Sequence, residues 1–498
     1  MQNDHEPPVS SGPDAPPDSP GPDAPPDSPR PDDGPAATPS LWSEIRGGIA
    51  GRQRDYTQGS IPRAVVVLAV PMMLEMSMQS VFAVVDIFFV GKLGPDSVAA
   101  VGITESILTL IFAIAMGLSM GTTAMVARRI GEGKADEAGV AAVQAFGLGT
   151  VIALVLGFVG WLSAPWLLAL MGGEPSVVAT GTGYAGIILG TNITVLLLFL
   201  INAAFRGAGD AALAMRALWL ANIANIILDP ILIFGWGPIP AFGLEGAAIA
   251  TAVGRALGVL YQIRYLGWGS GRLQIRRQHL RFERQTAWRI LRVSSTGMVQ
   301  FLVGTASWLG IFRILAGFGS AALAGYTIAV RIVIFAILPS WGMGNAAASL
   351  VGQNLGAGQP DRAERSVYVA SAGNMVFMIL VATFFQIFSG TVVQWFSDEP
   401  EVVALAVECL RIVTLAYVFM GFGMVCVQAF NGAGDTTTPT WINFLCYWLF
   451  QLPVAWVLAH PVGWGPRGVF IAIALSQVAL ALVGLVLFRR GRWKTKEL

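Results

Sequence analysis

Apolar runs of about twenty residues recur along this chain from residue 62 to residue 488. Each is long enough to cross roughly 30 Å of hydrocarbon as a helix. Charge agrees with that reading. Asp, Glu, Lys and Arg make up only 12% of the 498 residues, against about 25% in a soluble domain. The chain reads as an all-α polytopic membrane protein. Twelve spans are expected, near 62–91, 98–128, 139–162, 178–204, 211–235, 243–266, 288–314, 321–353, 364–389, 401–429, 436–459 and 466–488. Several exceed the bilayer thickness, so tilted or protruding helices are expected.

Arginine and lysine set the orientation. The connection between spans six and seven carries Arg272, Arg276, Arg277, Arg281 and Arg284. Arg128, Arg129 and Lys134 follow span two, and Arg489, Arg490, Arg492, Lys494 and Lys496 close the chain. The alternate loops "APWLLALMGGEPS", "GWGPIPAF" and "SGTVVQWFSDEPE" contain no Lys or Arg. Both termini are therefore expected in the cytoplasm, with the protein in the plasma (inner) membrane, in contact with membrane lipids and monomeric. Topology control accounts for the basic runs, so no nucleic-acid partner is inferred.

Residues 1–45 differ in kind. "GPDAPPDSP" stands at 12–20 and again at 21–29. Proline and aspartate bury little, so a disordered cytoplasmic tail is expected. It lacks the basic and apolar regions of a secretory signal. Cys409, Cys426 and Cys446 lie in apolar stretches and read as core residues rather than a disulfide framework. His5, His279 and His460 are too scattered for a histidine metal site.

A seven-residue word appears twice: "AFRGAGD" ends at Asp210 and "AFNGAGD" at Asp435, an offset of 225. Val126, Gly131, Gly133, Asp136 and Ala138 match Val351, Gly356, Gly358, Asp361 and Ala363 at the same offset, as Gly94 and Ile103 match Gly319 and Ile328. The chain is thus two copies of a six-helix unit: an N-lobe at 60–266, a basic cytoplasmic linker at 267–287, a C-lobe at 288–488 and a basic tail at 489–498. Six is even, so the copies enter the membrane alike and are related by a pseudo-two-fold axis along its normal, a secondary-transporter pattern. Within the word, Gly207 and Gly209, like Gly432 and Gly434, are expected to turn the chain. Asp210 and Asp435 stand where N-caps belong.

Ionisable side chains inside a span are costly and mark function by default. Span one has Glu75, Gln79 and Asp86 on one helical face, with Pro71 inviting a kink. Span five has Asn225 and Asp229 one turn apart, followed by Pro230. Span six places Thr251 about two turns from its outer start. At ~1.5 Å per residue, Asp86, Asp229 and Thr251 share the outer half of the first unit. Two carboxylates, an amide and a hydroxyl suit a proton or a hard cation such as Na⁺. Nearby carboxylates also repel, which favours taking up a proton. The second copy lacks these acids: Ile311 stands opposite Asp86 and Val454 opposite Asp229. Gln300, Glu105 and Arg331 are further candidates along a substrate path. Glu408 and Arg411 are spaced to pair with one another.

The chain resembles the MATE (multidrug and toxic compound extrusion) family of exporters. The resemblance rests on "VVDIFFVGKLG" at 84–94, "AFRGAGD" at 204–210, "NIILDPILIFG" at 225–235, "GLEGAAIATAVG" at 243–254, "LVGQNLGAGQPDRA" at 350–363 and "AFNGAGDTTTP" at 429–439. It implies twelve helices in two lobes around a central cleft, and export of cationic or amphipathic organic compounds in exchange for Na⁺ or H⁺. Asp86 matches the family's first-helix acid, Asn225 and Asp229 its fifth-helix pair, Thr251 its sixth-helix hydroxyl and Pro71 its first-helix proline. The seventh-helix acid of one branch is missing, so the chain looks more like the DinF-type or archaeal-type branch. Glu75 departs from the family pattern.

The expectation is a secondary antiporter for small organic substrates, coupled through Asp86, Asn225, Asp229 and Thr251, with no cofactor beyond the coupling ion. A lipid-linked precursor flippase or metabolite exporter of the wider superfamily is the alternative. An ATP-driven enzyme is excluded on motif: the Gly-Lys pairs continue into Leu93 and Ala135, so no Walker A loop exists.

Overall fold

The structure is a computed structural model describing residues 40–51, 54–269 and 271–496. Most of the expected Pro/Asp tail, residues 1–39, lies outside the described residues. Span one is Ile61–Gly91, span two Pro95–Gly131, span three Ala135–Leu170, span four Pro175–Ala208, span five Ala211–Phe234 and span six Gly243–Trp268. Span seven is Arg284–Ala316, span eight Ser320–Gly356, span nine Pro360–Gln394, span eleven Thr437–Ala459 and span twelve Pro466–Arg489. Span ten is a bent pair, Pro400–Leu415 and Tyr417–Gly432, whose pieces meet at 59°. Among the described residues, eleven helices are long and apolar enough to cross a membrane, and the bent pair taken as one span makes twelve. Spans two and eight each run 37 residues, well past the ~20 that a bilayer core needs, so both project beyond it.

Two breaks stand at the repeat offset: span four is interrupted at Thr191 and span ten at Ala416. In span four the cause is local. Thr191 Oγ1 donates to the Ile187 carbonyl at 2.7 Å, and Asn192 Nδ2 to the Leu189 carbonyl at 2.6 Å. Side-chain bonds of this kind compete with the helical ladder. Span eleven carries a π-helical stretch at Phe444–Gln451, next to Pro453, with no counterpart in span five.

The two halves meet through small residues, and the contacts come in matched pairs. Gly117 of span two packs on Gly297 and Met298 of span seven. Its counterpart Gly342 of span eight packs on Met72 and Met73 of span one. Gly131 abuts the Gln353 backbone, and its counterpart Gly356 abuts that of Arg128. Each partner set maps onto the other at the offset of 225. That is the two-way reciprocity of a two-fold interface, and it lets helix backbones touch. These contacts lie in the half of each span nearest the described chain ends. Toward the opposite face, Glu105 of span two and Arg331 of span eight are both exposed. The halves therefore close on one side of a cleft.

The terminal segments differ from the expected tails. Residues Leu41–Ile49 form a short helix rather than continuing the tail to 45, and Glu44 receives Arg54 at 3.1 Å and Arg63 at 3.2 Å. The last turn, Arg492–Thr495, folds back onto the body. Trp493 is fully buried against Phe488, and Lys494 pairs with Glu364 at 2.5 Å and Asp361 at 3.3 Å. Apolar burial and two carboxylates hold a segment that its charge alone marks as solvated. Four further bonds tie the closed side together. Arg128 donates to the Lys496 carbonyl at 2.7 Å, Arg362 to those of Gln58 and Gly59 at 2.8 Å, and Gln353 to that of Gly207 at 2.8 Å.

The doubled word divides its labour differently from the expectation. Gly209 and Gly434 adopt left-handed φ values of 89° and 81° and do turn the chain. Gly207 and Gly432 remain helical, where they let spans four and ten cross the backbones of Thr123 and Ala348. Asp435 stands one residue before the cap position, which Thr436 occupies, and still reaches the first turn: its carboxylate accepts from the Thr438 hydroxyl at 2.6 Å and the Thr438 amide at 3.4 Å. Asp210 makes no such bond. It accepts the Arg272 amide at 2.8 Å instead, because the linker after span six folds over it. That burial pushes the Asp210 carboxyl above the usual carboxylate range.

Gly131→Val is expected to force the halves apart, because the added methyls meet the Gln353 backbone rather than a side chain able to move. Overpacking of this kind costs about 1–3 kcal/mol. The detergent-solubilised variant should melt several degrees lower; unchanged melting would rule out the contact.

Candidate functional site

Spans five and six are held together by glycines. Gly246 lies against the Leu232 backbone, Gly254 against Ala221 and Asn225, and Gly258 against Ala217. This close approach brings Thr251 to the face that carries Asn225 and Asp229. Asn225 Nδ2 donates to Asp229 Oδ1 at 3.2 Å and to Thr251 Oγ1 at 3.1 Å. Asp229 is fully buried and Asn225 nearly so. Two oxygens of this group, Asp229 Oδ2 and Asn225 Oδ1, are buried without a hydrogen-bond partner among the described residues. A buried unpaired carboxylate oxygen is costly, and a proton or a hard cation satisfies it.

Asp86 stands beside this trio without touching it. It is half-buried and lies within electrostatic reach of Asp229, Glu105 and Arg255. Of the four expected coupling residues, three are therefore in contact and the fourth is a neighbour. Arg255 is a residue that the sequence reasoning passed over. It sits one turn beyond Thr251 in span six and faces Asp86 and the buried Tyr184. Its signal was available, since a charge inside a span is the rule already applied to Asp86.

In the C-lobe the matching place holds no carboxylate. Ile311 is fully buried, and Leu452 fills the space over Gly310. Leu452 precedes Pro453 as Asp229 precedes Pro230, so aligning the prolines finds no acid either.

A second polar assembly lines a cavity of about 250 Å³ between the halves. Glu75 Oε1 accepts Arg206 Nη1 at 2.8 Å and Asn202 Nδ2 at 3.0 Å, and Asn202 Oδ1 accepts Gln262 Nε2 at 2.6 Å. Facing it, Asn431 donates to Gln428 and Gln428 to Asn345, each at 2.7 Å. Met116, Met120, Phe301 and Trp341 complete much of the wall. Of the expected path residues, Glu75 and Gln79 line this cavity. Gln300 does not: it is buried in the packing of span seven, where the helix faces span two. Glu105 and Arg331 lie outside the cavity wall, within electrostatic reach of one another across the halves. Span one runs unbroken through Pro71, as span five does through Pro230. The expected Glu408–Arg411 pair does not form. Glu408 meets Arg467 of span twelve at 3.4 Å instead, while Arg411 donates to Ser389 of span nine at 3.2 Å.

Two six-helix halves around a polar cleft define a secondary-transporter architecture. A profile of the MatE family matches residues 71–231 and 298–457, one stretch in each half and together well over half the chain. The chain belongs to the MatE family, a family of multi-pass multidrug-efflux transporters rather than enzymes. It is similar to the probable multidrug resistance protein NorM of Thermotoga maritima, at 24% identity over 88% of this chain and 94% of that one. The probable multidrug resistance protein NorM of Pseudomonas aeruginosa is 29% identical over 88% of this chain and 90% of its own length. Among solved structures, an outward-facing conformation of a multidrug resistance MATE family transporter of the MOP superfamily superposes with a TM-score of 0.82. It is 27% identical and covers 87% of this chain and 96% of that one.

Thr251→Val keeps the shape but removes the acceptor of an Asn225 hydrogen bond. A buried donor left unpaired costs about 1–3 kcal/mol. Thermal melting is expected to drop for Thr251→Val and to stay near wild type for Thr251→Ser; equal melting of the two would contradict the drawn network.

Proposed function

We propose that this protein is an antiporter that exports small organic, cationic or amphipathic compounds in exchange for H⁺ or Na⁺. Asp86, Asn225, Asp229 and Thr251 form the coupling site. The observation that carries this reading is the buried Asn225–Asp229–Thr251 group with two unpaired oxygens, whose positions at the repeat offset hold Phe450, Val454 and Ser476 and no carboxylate. A coupling ion acts only through different affinities for two states. A carboxylate buried with one oxygen unpaired in one arrangement of the helices supports such a difference. The basic loops put both termini in the cytoplasm of a plasma-membrane protein, so the closed side of the cleft is the inner side and this conformation opens outward. Ion uptake at Asp229 and Asp86 would then reset span one, the helix that joins the coupling group to the cavity wall at Glu75. Pro71 supplies the point at which that helix can bend.

Asp86→Asn is expected to insert and fold normally, and to lose substrate export from proteoliposomes whether a Na⁺ or a pH gradient is imposed. The gradient that drives the wild-type protein names the ion. Export by the variant at the wild-type rate would end this proposal.

A further inference from the structure

The cavity wall in the N-lobe carries a pair of opposite charges that the C-lobe does without. Glu75 maps onto Gln300 and Arg206 onto Asn431 at the offset of 225. The packing confirms that alignment locally, since Met72 and Gly297, three residues earlier, make matching contacts, as do Gly207 and Gly432, one residue later. Gln300 and Asn431 are buried, as Glu75 and Arg206 are. These helix positions therefore pack well with neutral amides. Charges add a desolvation cost that neutral amides avoid, so helix packing does not explain the pair.

The geometry of the pair is specific. Arg206 Nη1 holds Glu75 Oε1 at 2.8 Å, and Asn202 supports the same oxygen at 3.0 Å. Glu75 Oε2 is buried with no hydrogen-bond partner among the described residues, although the side chain lines the cavity. Arg206 also lines the cavity. Across the space, the amide chain runs one way: Asn431 donates to Gln428, and Gln428 to Asn345. Asn345, at the end of this chain, lines the cavity, and its Nδ2 makes no side-chain hydrogen bond among those seen in the described residues.

The two charges cancel, so the wall has no net charge to offer. An ammonium group meeting Glu75 Oε2 finds the Arg206 charge beside it. A ligand that brings its own anion next to its own cation meets both. Because the protein charges are in direct contact, the ligand charges must be a few bonds apart. We propose that this wall is a binding site for a compact zwitterion, an amino-acid-like head on an apolar or aromatic body. Its ammonium donates to Glu75 Oε2, and its carboxylate accepts from Arg206 and Asn345. The Met and aromatic side chains cover the body. A cavity of about 250 Å³ lies at the small end of ligand pockets, which run about 300–1,000 Å³. This deepens the antiporter reading by naming a substrate class.

Four compounds sharing an indole body test it: tryptophan (zwitterion), its methyl ester (cation), N-acetyltryptophan (anion) and N-acetyltryptophan methyl ester (neutral). Binding to the purified full-length protein in detergent is measured by calorimetry without an ion gradient, so the result does not depend on the coupling residues. Tryptophan is expected to bind about tenfold tighter or more than either singly charged congener, one charge-assisted bond being enough for that factor. The double variant Glu75→Gln/Arg206→Asn installs the residues of the C-lobe and removes both charges together, which avoids stranding one of them. It is expected to bind the four compounds within about threefold of each other, an ordinary scatter for contacts of equal kind. The proposal is overturned if the methyl ester binds as tightly as tryptophan, if none of the four binds, or if the double variant keeps the wild-type order. A failure of Asp86→Asn to stop transport would bear on coupling and leave this ranking untouched.

Discussion

The backbone contact between the two halves is the constraint on which the rest of the structure depends. Gly117, Gly131, Gly342 and Gly356 let spans two and eight reach the opposite half at backbone distance. In lipid, helices gain little from apolar burial against one another, so close packing of small residues supplies the association. Because each contact has its mirror at the repeat offset, the halves meet around one axis. A cleft with two matched walls follows from that. Side-chain bonds from Arg128, Gln353 and Arg362 then close one side and leave Glu105 and Arg331 exposed toward the other.

Onto this symmetric frame the chain places asymmetric chemistry. Asp229, Asn225 and Thr251 are buried together in one half, and Phe450, Val454 and Ser476 stand at their positions in the other, with no carboxylate. Glu75 and Arg206 face the cleft from one half, and Gln300 and Asn431 hold the matching helix positions. The neutral half shows what packing alone requires. The charged half carries what packing does not explain, and buried charge is too costly to persist without a use.

Much of this was legible in the residues. Twelve crossings, two copies and the N-lobe acids follow from apolar run length, a constant offset and the cost of a carboxylate in lipid. The helical period was enough to put Asn225 and Asp229 on one face. Other features were not legible, and the reasons are physical. Asp210 and Asp435 are identical letters in words that differ at one position, yet one holds the linker and the other bonds to the first turn of a helix, because only the first has the linker folded over it. Glu408 and Arg411 have the spacing of a pair, but neighbouring spans offer each a different partner, Arg467 and Ser389. Trp493 and Lys494 looked like part of a solvated tail until Phe488, Asp361 and Glu364 were brought to them.

The sequence by itself determined the spans, the duplication and the identity of the costly polar groups. These depend on local hydropathy and on period, which need no knowledge of neighbours. Tertiary structure decided which polar groups meet. It joined Thr251 to Asn225, set Asp86 beside them without contact, and turned Glu75 toward Arg206, 131 residues away. Pairing across that separation depends on where helices cross, and the crossings are set by glycines whose partners lie on other helices.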